Sequence, residues 1–162
     1  MAEQPVEIPG SDDTGGHLDA VRGQRLSLRR ALAELEDTLA SPAAGRERTW
    51  SARLLDAVRH LSEVFDLHVA VTEGPDGLHE DILDTAPRLA NGVRRLKAEH
   101  AQIRMALNAE LLRLGAAAEG GSPEVEQERG RLTLLLGRLV RHRQRGAELI
   151  YEAYAVDIGG ES

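Results

Sequence analysis

The stretch "SARLLDAVRHLSEVFDLHVAVTE", residues 51–73, places its large apolar side chains at alternating intervals of four and three: Leu54, Val58, Leu61 and Phe65. The same spacing continues to His68 and Thr72. That rhythm is the signature of one face of an α-helix packed against other helices. The question it raises is why the buried stripe ends in an imidazole and a hydroxyl rather than in two more leucines.

Three more segments carry the same rhythm. The first runs from about His17 to Leu39 through Leu18, Val21, Arg25, Leu28, Leu32, Leu35 and Leu39. The third carries Leu89, Val93, Leu96, His100, Ile103, Leu107 and Leu114, and the fourth carries Leu132, Leu135, Leu139, His142, Gly146, Leu149 and Ala153. Short connections rich in Gly, Pro and Ala separate them: "SPAAG" at 41–45, "GPDG" at 74–77 and "GAAAEGGSP" at 115–123. A short helix over "LHEDILDTA", with Asp76 as its cap, fits between the second and third, and Pro87 falls in the first turn of the next long segment. The pattern predicts an all-α, up-down-up-down four-helix bundle with a short extra helix in the second connection. Residues 1–15, polar and aperiodic, read as a disordered N-terminal arm, 16–158 as the bundle, and 159–162 as a flexible tail.

Composition narrows the function classes. The chain has 162 residues, one domain's worth, and a formal charge of −7, which disfavours bulk attraction to nucleic acid or to an anionic membrane. It has no cysteine, so thiolate metal sites and disulfides are excluded. The N-terminus lacks the apolar region of a signal peptide and no stretch is long enough to span a bilayer, so a cytoplasmic protein is expected. No Ser-His-Asp arrangement, phosphate loop or dinucleotide fingerprint is readable, and a non-catalytic protein is the expectation.

Each stripe is broken by polar or missing side chains: Arg25, His68 with Thr72, His100, and His142 with Gly146. In an antiparallel bundle these positions fall within a band roughly 12 Å deep. They are expected to form a buried polar layer of Arg25, Thr72 and Glu99 around a metal site of His68, His100, His142 and Glu73. A buried guanidinium needs an acidic partner, and Glu73, Glu99 or the acids of 74–85 are the candidates for Arg25. His79, near the end of the second helix, is a further candidate ligand, whereas His17 and His60 are expected to face solvent.

The inward histidines, with "AEHAQI" at 98–103 and "RHRQRGAELIYEAY" at 141–154, resemble the hemerythrin-like (HHE) family, bacterial members especially. The resemblance spans about residues 17–158 and implies a four-helix bundle holding two irons on five histidines and two bridging carboxylates. This sequence departs from that pattern at several ligand positions. Arg25 stands for the histidine of the first helix, and Thr72 for a carboxylate, with Glu73 one residue late. Leu96 replaces a histidine of the third helix, and Gly146 and Ala147 replace the carboxylate of the fourth, with Glu148 late. A side chain four residues after a histidine is rotated about 40° from it, but one five or six residues later is rotated by more than about 100°. A di-iron centre is therefore not expected. What remains is one ion per chain, iron or zinc, held by the three histidines and Glu73 or water, for sensing or redox response. Two alternatives stay open: a metal-free interaction module in which Arg25 fills the space of the iron, and a three-histidine metal enzyme resembling DinB-type bundles. Tyr151 and Tyr154, three apart on the last helix, could present a surface to a protein partner or to a second copy. The arginines at 138, 141, 143 and 145 lie among acids and read as a solvated face.

Overall fold

The computed structural model describes residues 12–155. Among them are five α-helices and no strand: α1 (Asp12–Ala40), α2 (Glu47–Glu73), α3 (Leu78–Thr85), α4 (Ala90–Ala118) and α5 (Val125–Ala155), with a 3₁₀ turn, Pro87–Leu89, leading into α4. The four long helices pack in a closed ring in which α1 adjoins α2, α2 adjoins α4, α4 adjoins α5 and α5 adjoins α1. This is the expected four-helix bundle, and α3 is the expected short piece in the connection between α2 and α4.

Two boundaries shift. α1 begins at Asp12, so residues 12–15 are helical rather than part of the arm. α4 runs on to Ala118, because Ala116–Ala118 are the strongest helix formers in a stretch expected to be a link. The rest of the expected arm and tail lies outside the described residues. Asp76 does not cap α3. Gly77 precedes that helix, and Asp76, at φ 55°, donates its backbone N–H to Glu80 Oε2 at 2.8 Å.

The apolar stripes form the core, and the histidines divide it. Below them Leu28, Leu35, Leu54, Val58, Leu61, Phe65, Leu107, Leu132 and Leu139 belong to one buried cluster that extends to Trp50. The Trp50 indole N–H, 1% exposed in total, donates to Thr38 O at 3.1 Å and closes the α1–α2 end. Above the histidines a second, smaller cluster joins Val21 of α1, Leu78 and Ile82 of α3, Val93 and Leu96 of α4, and Leu149 and Ala153 of α5. α3 therefore caps the open end of the bundle over the histidine layer. Burial of each large side chain contributes about 1.5–3 kcal/mol, so both clusters hold the helices that carry the imidazoles.

Candidate metal centre

Three helices supply one histidine each. α2 places His68 one turn beyond Phe65, α4 places His100 one turn before Ile103, and α5 places His142 one turn beyond Leu139; the positions follow the core stripe, so all three rings turn inward. His100 and His142 are 3% and 2% exposed. Their Nε2 atoms converge: His68 Nε2 lies 3.2 Å from His100 Nε2 and 3.3 Å from His142 Nε2. The three nitrogens all lie within 4.8 Å of one another.

The other nitrogen of two rings is committed elsewhere. His100 Nδ1 lies 3.0 Å from Glu73 Oε1, and His142 Nδ1 lies 2.8 Å from Glu99 Oε2. A carboxylate oxygen accepts, so each Nδ1 carries the proton and each of these two Nε2 atoms presents a lone pair. At most one proton, on His68 Nε2, is left to satisfy both lone pairs. A cation at the point of convergence satisfies all three at once. Two imidazole nitrogens on one tetrahedral zinc, each at about 2.0–2.1 Å, stand about 3.3 Å apart, which the separations of 3.2 and 3.3 Å match.

Electrostatics keep the rings in the ligating, neutral form. Burial, reinforced by the neighbouring imidazoles, pushes His68 and His100 down to about 3. Burial also lowers His142, against the opposing pull of Glu99. Glu99 is held in turn by Arg145, whose Nε lies 2.7 Å from Glu99 Oε1 as an ion pair.

Phe65 closes the site from below. Its ring centroid lies 5.8 Å from those of His68 and His100 and 6.3 Å from that of His142. Above the triad is a cavity of about 50 Å³. Its lining includes Arg25, Thr72, His79, Leu96, Gly146 and Ala147. Space for one water takes about 10–15 Å³ on this measure, so the cavity admits a few atoms and no large ligand.

The remaining expected residues do not all join the centre. Glu73 stands behind His100 on its Nδ1 side rather than among the converging donors, and Glu99 does the same for His142. Thr72 is buried but its hydroxyl donates to His68 O at 2.8 Å, within its own helix, as a helical threonine commonly does. Arg25 is not buried: it is exposed at the rim of the cavity, where a long side chain reaches water, and it forms no ion pair among the described residues. His60 faces solvent, 2.9 Å from Glu34 Oε2. His79 is buried, with its ring parallel to that of His100 at 5.7 Å.

A second buried polar group went unread in the sequence. Glu110 on α4 pairs with Arg113 at 2.8 Å and Arg131 at 3.3 Å, and Ser51 on α2 donates to Glu128 Oε1 at 3.3 Å. Burial pushes the Glu128 carboxyl up. The signal was present, since Glu110 falls in phase between Leu107 and Leu114, and Glu128 falls four before Leu132.

No protein-family model, curated protein or solved structure matches the chain. Among the described residues no helix is long and apolar enough to cross a membrane.

Proposed function

We propose that the protein binds a single metal ion per chain, zinc or iron(II), on His68, His100 and His142, and that the bundle senses metal or redox state through that ion. The observation that carries this reading is the convergence of three Nε2 atoms within 4.8 Å, two of them on rings whose Nδ1 atoms are held by carboxylates. All donors in the cluster are imidazoles, a set suited to zinc; a carboxylate in the shell would favour iron(II), and Glu73 is turned to His100 instead. The resemblance to hemerythrin-like bundles supports iron. At positions where that family has further ligands, this chain has Leu96, Gly146 and Ala147, which offer no donor side chain and line the cavity instead. The metal-free reading relied on a guanidinium buried in the place of the ion, and Arg25 is exposed.

Elemental analysis of untagged protein expressed with both metals tests the proposal. About one ion per chain is expected in the wild type, with loss of stoichiometric metal in His100→Ala. A folded, helical wild type that retains no metal after supply of both would reject it. Tyr151 and Tyr154, 70% and 38% exposed on α5, support a contact with a protein partner or second copy within the same reading. Sedimentation as a monomer at high concentration would reject the self-association.

A further inference from the structure

The cavity above the triad holds a fourth histidine. His79 projects from the first turn of α3, is 7% exposed, and makes no hydrogen bond among the described residues. No described side chain or carbonyl holds either ring nitrogen, so one of them is free to serve as a ligand. The three triad rings lie 5.0, 5.5 and 4.7 Å apart, centroid to centroid. With zinc–nitrogen bonds of 2.0–2.1 Å, the ring centroids of a tetrahedral four-imidazole site stand about 5 Å apart. His79 is already 5.7 Å from His100, within an ångström of that spacing. What it lacks is aim, since its nitrogens do not join the converging group.

We propose that His79 is the fourth ligand of the centre, carried by α3 and turned into the cavity when the ion binds. This rests on the one-ion reading above. The space for the movement is the cavity of about 50 Å³, which all four histidines line. The competing donors are poorly placed. The Thr72 hydroxyl serves its own helix and Glu73 Oε1 serves His100. Gln24 lines the same cavity and leaves its Oε1 buried without a partner, but a neutral amide oxygen is a weaker ligand than imidazole for such an ion. Ligation by His79 turns an open three-nitrogen centre into a closed four-nitrogen one, the arrangement of structural rather than catalytic sites. It also makes the docking of α3 over the bundle end depend on metal, giving the sensor an element that moves.

X-ray absorption at the zinc edge of the zinc-loaded, full-length protein decides the matter. Four imidazole ligands are expected in the wild type. In His79→Phe, which retains a flat ring in the same space, three imidazoles and one oxygen are expected, with zinc held at least about tenfold more weakly. Amide exchange across residues 78–85 is expected to slow on zinc binding in the wild type and to stay unchanged in the variant. A wild-type spectrum of three imidazoles plus oxygen, unaltered in His79→Phe, would overturn the fourth ligand and leave the triad standing. A wild type that binds no zinc or iron would remove both.

Discussion

Glu99 Oε2 lies 2.8 Å from His142 Nδ1, so a carboxylate on α4 sets the tautomer of an imidazole on α5. Glu73 does the same for His100 across the α2–α4 boundary, at 3.0 Å. Both acids are held close to the core, at 16% and 21% side-chain exposure, where screening by water is reduced. The triad is thus held from behind: two of its three rings cannot rotate without breaking a charge-assisted hydrogen bond.

Glu99→Gln and Glu73→Gln should each lower metal affinity by about 10- to 100-fold while leaving the helical content unchanged, since outer carboxylates orient a ligating histidine and raise its basicity. Competition with a chromophoric chelator measures the change. Affinity unaltered in both variants would mean that the carboxylates do not orient the ligating rings.

The metal-free protein should weaken as the solution turns mildly acidic. His68 and His100 titrate near 3 in the folded chain against an unfolded value of about 6.5, so unfolding takes up protons below 6.5. Their contribution is complete above pH 6.5 and is lost progressively as the pH falls toward about 3. His142 is lowered as well and adds to the same slope. Melting temperatures in chelator should therefore begin to drop between about pH 6.5 and 5, above the range of ordinary carboxylates. His68→Gln, which removes one of these bases, should flatten that part of the curve. A profile level down to pH 5 would contradict a buried neutral triad.

Arg25→Gln should alter stability by less than about 0.5 kcal/mol, the usual scale for an exposed site without a special partner. It should also strengthen dication binding slightly, because Arg25 adds positive potential at His68. Chemical denaturation and metal titration of the same variant check both halves. A loss above about 2 kcal/mol would instead indicate a buried, paired guanidinium.

Arg25 also marks where the sequence stops being informative. The rhythm of threes and fours located the bundle, the core leucines and the three inward histidines, because burial follows the helical period directly. It placed Arg25 on the same stripe, but period alone does not distinguish a buried side chain from a long one that leaves the stripe to reach water. Glu99 was readable as a member of the layer and Glu73 as a ligand beside the histidines, whereas Glu73 stands behind His100 instead. Their partners were not readable, since the direction of a carboxylate at a helix boundary depends on which ring stands opposite. The stacking of His79 on His100 depends on how α3 folds back over the bundle, a tertiary relationship that the eight residues of α3 do not encode locally.

Two glycines near the cavity should respond in opposite directions. A Cβ added at Gly146, in the interior of α5, would meet nothing within 4 Å. Alanine there should raise stability by up to about 1 kcal/mol, the difference in helix propensity. It would also narrow the cavity by a methyl group without touching a histidine, so metal stoichiometry should hold. At Gly77, between α2 and α3, the same atom would stand 2.6 Å from Gly74 O and 2.9 Å from both Thr72 O and Val71 O. Backbone oxygens cannot move aside as a side chain can, so Gly77→Ala must shift the turn that positions α3. That variant should lose about 1–3 kcal/mol and lift the cap from the histidine layer. Urea denaturation of the pair checks the sign of each. If Gly146→Ala were destabilising and Gly77→Ala neutral, the turn would be looser and the space beside His142 tighter than the packing of α3 and α5 requires.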